Sequence, residues 1–92
     1  MAHTRNARKR IRQAEKRRLI NRYHISRMRT AFKRIREALK AGDIQAAETL
    51  LPLAQKIAYR AAAKGAIHKN EAARRVSRYA RKINAAKKAA TT

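Results

Sequence analysis

Gly42 and Gly65 are the only glycines in this 92-residue chain, and Pro52 is its only proline. A chain with so few residues suited to a turn can reverse direction at very few places, and the rest must be long regular structure. Each glycine stands just after a helical pattern ends, where a left-handed residue stops a helix. Asp43 follows Gly42 and can cap a second helix, and Asn70 follows Gly65 by five residues and can cap a third, with Glu71 in its first turn. Thr4 or Asn6 can cap the first. The expected helices are 6–41, 44–64 and 71–87.

Apolar spacing supports that count. Ile25, Met28, Phe32, Ile35 and Leu39 step by three and four, as do Ile44, Ala47, Leu51, Ala54, Ala58 and Ala61. Ala72, Val76, Tyr79 and Ile83 form a third stripe. Each is one face of a helix, and short connections between three such helices imply an all-α, antiparallel three-helix bundle. The length suits one domain, 1–92. Much of the 45% hydrophobic content is alanine, so the core is narrow. Pro52 falls inside the second helix and is expected to kink it or remove one hydrogen bond.

Charge separates the chain further. Twenty-six Lys and Arg face five acids, a net charge of +21. Arg27, Arg29, Lys33, Arg34 and Arg36 avoid the apolar arc of the first helix, and Arg74, Arg75, Arg78, Arg81 and Lys82 fall opposite the stripe of the third. Before Ile25 no apolar arc exists. Arg5, Arg8, Lys9, Arg10, Arg12, Lys16, Arg17, Arg18 and Arg22 are spread round the whole helix, so it has no face to pack. At 1.5 Å per residue the first helix would be ~54 Å long and the second ~31 Å, which leaves the basic end projecting. The expected layout is a projecting segment at 1–24, a bundle at 25–88 and a frayed tail at 89–92. The second helix is nearly neutral and is expected to brace the bundle or face solvent.

Exposed helix faces normally mix signs, because Glu and Lys four residues apart support each other. Residues 5–36 hold fourteen cations and only Glu15 as an acid. Such a segment repels itself until an external polyanion neutralises it, and nucleic acid does so with release of counterions. Arginine-rich composition favours forked phosphate contacts, and Asn21 and its polar neighbours can bond phosphate or sugar. A rod basic all round suits folded RNA, which can surround it, whereas a duplex needs only one basic face.

Other chemistries are unsupported. There is no Cys, so disulfides and thiolate sites are excluded, which fits a reducing compartment. His3, His24 and His68 are too scattered for a metal site, and the acids form no catalytic pair. Neither an enzyme nor a cofactor, a small-molecule substrate or a homo-oligomer is expected. No apolar run approaches ~20 residues, and Ile11, Leu19 and Ile20 share no face, so no membrane partner is expected. The N-terminus lacks an apolar signal core, and its basic composition returns at the far end, unlike a removable transit peptide. Tyr23 and Tyr59 fall outside the stripes and are candidates for base stacking.

The most specific text is "GAIHKNEAARRVSR", in which Ile67 tucks into the core and His68, Lys69 and Asn70 present polar groups at a helix N-terminus, which attracts phosphate. Extended to "KGAIHKNEAARRVSRYARKI" at 64–83, with "ARKRIRQAEKRRLINR" and "SRMRTAFKRIREAL" upstream, it resembles the bacterial small-subunit ribosomal protein twenty family over nearly the whole chain. That resemblance implies a structural protein that binds small-subunit ribosomal RNA, a three-helix bundle with a long first helix. It further implies a place at the base of the small ribosomal subunit, bridging the 5′ domain and the long penultimate RNA helix. The cytoplasmic ribosome is the implied location, with an organellar ribosome as the other. Ser77, within the motif, joins the implied RNA contacts; at Tyr23, His24 and Ile25 the chain is less basic than the family. A histone-like DNA-binding protein is the alternative that the residues leave open.

Overall fold

The computed structural model describes residues 4–91, and these form three helices: α1, Arg5–Lys40, α2, Ile44–Ala63, and α3, Lys69–Thr91. Each boundary has a local cause. Thr4 starts α1 by accepting a hydrogen bond from the Ala7 N–H at 3.3 Å, and Asp43 starts α2 by accepting one from Ala46 N–H at 3.1 Å. Both glycines adopt φ +78, and each closes a Schellman motif. In the first, Asp43 N–H donates to Ala38 O at 2.8 Å and Gly42 N–H to Leu39 O at 3.1 Å. The second repeats it, with Ala66 N–H to Ala61 O at 2.9 Å and Gly65 N–H to Ala62 O at 3.0 Å. Asp43 thus ends one helix with its backbone and opens the next with its side chain.

The third helix departs from expectation at both ends. Asn70 is not its cap. The cap is His68, whose Nδ1 accepts from the Asn70 N–H at 3.1 Å and whose carbonyl accepts from Glu71 and Ala72. An imidazole nitrogen serves there as an Asp or Ser oxygen would, which residue preferences do not suggest. At the other end the helix runs to Thr91, so residues 89–91 are helical rather than a tail; residue 92 lies outside the described residues. The apolar stripe ends at Ile83, but the Ala-rich sequence beyond it favours helix on its own. Lys87 Nζ, 3.0 Å from Glu48 Oε1, ties that extension to the first turns of α2.

Met28, Phe32 and Ile35 of α1, Ala47, Ala54 and Ala58 of α2, and Ala72 and Ile83 of α3 form the buried core. Ile67 packs against it from the second connection, as expected. The α1 stripe begins at His24, 8% exposed, rather than at Ile25, which is only half-buried. Alanine on α2 lets both neighbours approach closely, and α2 is the bracing member. It packs against α1 and α3, which touch each other little. Their contact includes Phe32 and Tyr79, whose rings stack at 4.8 Å and 17°. Pro52 does not end α2; it sits on the exposed side, where water can serve the Glu48 carbonyl that it deprives of a donor. No helix among the described residues is long and apolar enough to cross a membrane.

Residues 8–20 of α1 are exposed without exception, whereas Asn21 is half-buried and His24 buried. The helix therefore leaves the bundle near residue 21, and the molecule is 68 Å long against 21 and 15 Å across. Of the segment expected at 1–24, residues 1–3 lie outside the described residues, and the joint falls a few residues before Ile25.

Candidate nucleic-acid interface

The rod gives its cations nothing to pair with inside the protein. Arg5, Arg8, Lys9, Arg10, Arg12, Lys16, Arg17 and Arg18 are all exposed, and among the described residues none has a carboxylate partner. Ile11, Leu19 and Ile20 are also exposed, at 55%, 64% and 43%, on different sides, so no apolar face competes with the charge. Lys and Arg stems cover such isolated apolar groups while their heads stay in water.

Along the bundle the two cationic helices, α1 and α3, do not act separately. Ser26, Arg29, Thr30, Lys33 and Arg36 of α1 meet Arg75 and Tyr79 of α3 in a groove of about 390 Å³. Arg29, Lys33 and Arg36 stand one and two turns apart, so their charges line one edge of the groove. Arg75 lines the other. It is not opposite the apolar stripe as expected but beside it, half-buried, with Nε 3.2 Å from Glu71 Oε1. Glu71 also lies 3.6 Å from Arg74 Nη1. One carboxylate at the start of α3 thus pairs with two guanidinium groups. Lys82 Nζ lies 5.1 Å from the Tyr79 ring centre, so Tyr79 is occupied by Phe32 and Lys82 and is no platform for a base.

The remaining residues divide by place. Arg22 and Arg27 are exposed on α1, and Arg27 Nη1 donates to Tyr23 Oη at 3.3 Å with its guanidinium 5.5 Å from that ring. Tyr23 is 55% exposed; Tyr59 is 42% exposed but sits on α2, the least basic of the three helices. Ser77, Arg78 and Arg81 are exposed on α3, and Lys69 and Asn70 are exposed in its first turn beside His68. His24 belongs to the core, which is why a cation there would not be tolerated. Arg36, seven residues from Arg29 and exposed on the same edge, belongs to the groove as well. No cluster of three metal-binding side chains exists among the described residues.

A thin helical bundle with an exposed cationic rod and a cation-lined groove presents a surface whose charge suits a polyanion. The family model for Ribosomal protein S20 matches residues 2–84. The chain is 83% identical to the small ribosomal subunit protein bS20 of Persephonella marina over 95% of each chain. It is 50% identical to that of Aquifex aeolicus over 94% of this chain and 92% of the relative. It is 46% identical to that of Parvibaculum lavamentivorans over 92% and 98%. The chain belongs to the ribosomal protein S20 family. It is a structural, non-catalytic component of the small subunit of a bacterial ribosome, and the relatives give no support to the histone-like alternative.

Proposed function

We propose that the chain binds small-subunit ribosomal RNA directly and helps hold it folded in the cytoplasmic ribosome. Its unpaired all-round cationic rod would be sheathed by RNA, and the α1–α3 groove would follow one backbone. The observation that carries this reading is the run from residue 8 to 20, exposed on every side, whose cations have no carboxylate partner among the described residues. A face intended for solvent would mix its signs; a rod intended for RNA need not. His68, Lys69 and Asn70 are exposed at the start of α3, and although His68 already caps the helix amides, the Lys69 charge and the Asn70 side chain can meet a phosphate.

Binding at several salt concentrations tests this. Each phosphate neutralised contributes a log–log slope of about −0.7 to −0.9. Removal of residues 1–18 takes away eight cations without touching the core, so the slope flattens by several units while weak binding through Arg74, Arg78 and Lys82 persists. An unchanged slope would mean that the rod touches no phosphate. Equal affinity for duplex DNA and for the ribosomal RNA would favour the histone-like alternative instead.

A further inference from the structure

Where α1 leaves the bundle, Asn21 is half-buried between the exposed rod and the buried His24. Its Oδ1 is shielded from solvent yet accepts no hydrogen bond, alone in this among the described side chains. Shielded acceptors are normally paired, and where the chain supplies no donor, water or a ligand does so. The same residue lines an open hollow of about 600 Å³, with Ala14, Arg17, Arg18, Arg22 and Ile25 around it.

The make-up of this hollow differs from that of the α1–α3 groove. A phosphate track needs only cations and small donors. Here aliphatic surface from Ala14 and Ile25 lies beside a carboxamide, with guanidinium groups at the rim. A nucleobase matches that combination, having an apolar face and an edge that carries donors and acceptors together. The carboxamide offers both kinds of group in one plane, and a half-turn exchanges them. Oδ1 has no open surface as it stands, so a base edge reaches it only once a side chain lining the hollow shifts.

We propose that this hollow is a nucleotide site: Asn21 pairs with the edge of one unstacked base of the RNA, whose face rests on Ala14 and Ile25. Arg17, Arg18 and Arg22 hold the adjoining phosphates. The proposal rests on the RNA-binding reading and adds a point of base recognition to it.

The full-length chain and Asn21→Leu are compared on the small-subunit RNA and on a random-sequence RNA, across salt, with chemical probing of the bases. Leucine keeps the branching and the number of side-chain heavy atoms and removes both polar atoms. Asn21→Leu should lose about tenfold or more in affinity for the ribosomal RNA and nothing for the random one. Its salt slope should not change, since no charge is lost. Its melting temperature should hold or rise, because the unpaired acceptor is gone. One base protected by the native chain should become reactive. An abasic nucleotide at that position should weaken the native chain by the same factor and weaken the variant no further. Undiminished affinity of the variant for ribosomal RNA, or equal losses on both RNAs, overturns the site. If the variant does not fold, the abasic RNA decides with the native chain alone, and undiminished affinity overturns the site. A native chain with no preference for the ribosomal RNA would defeat the RNA-binding reading itself; a preference that survives Asn21→Leu removes only the base contact.

Discussion

Phe32 and Arg17 show how differently two residues of one helix contribute. Phe32 is 3% exposed, stacked on Tyr79 and part of a buried cluster that is half alanine, with little side-chain bulk to fill a void. Phe32→Ala should therefore cost about 3–5 kcal/mol, a large share of what so thin a core supplies. Arg10 and Arg17 are exposed and surrounded by like charge. Arg10→Ala and Arg17→Ala should leave stability unchanged or slightly raised, since alanine is the better helix former and repulsion falls. Thermal unfolding of the three variants checks this. A fall of many degrees in either arginine variant would mean that the rod packs on something.

At the scale of elements, α1 is two helices in one. From residue 21 onward tertiary packing holds it; before that, only its own hydrogen bonds and the Thr4 cap do. Isolated helices of about 12–15 residues are marginal in water, and like charges weaken them further. In the free protein, amides 6–20 should exchange with solvent far faster than amides of 28–38, and RNA should slow them. Hydrogen exchange with and without RNA measures this directly, and equal protection of both halves in the free protein would contradict it. The two connections are the opposite case. Their Schellman motifs were legible as Gly42 and Gly65, since only glycine takes φ +78 without strain. The His68 cap was not legible, because histidine is not a preferred cap and the bond depends on where its ring settles.

Over the whole molecule, a charge of +21 on a shape 68 Å long and 15 Å thin sets two salt dependences of opposite sign. Added salt screens the self-repulsion of the free chain, so its melting temperature should rise between low and about 0.5 M salt. The same salt should weaken RNA binding, because counterions are no longer gained on release. Melting curves of the free protein against salt provide the first half. A melting temperature that fell with salt would show that attractive surface pairs, such as Lys87–Glu48, outweigh the repulsion.

The sequence by itself determined three helices, their breaks and the core stripes, because apolar spacing and glycine placement act within a few residues of one another. It also determined the charge imbalance on which the RNA-binding proposal rests, because fourteen cations against Glu15 between residues 5 and 36 need no fold to be unbalanced. The tertiary structure decided the rest. Arg75 stands beside the α3 stripe, and only the packing of α1 on α3 turns it, with Arg29, Lys33 and Arg36, into one groove. The length of the free rod came from how far packing reaches along α1, so that Asn21 and not Ile25 marks the joint. His24 became a core residue for the same reason. These are distances between segments far apart in the chain, and local preferences do not encode them.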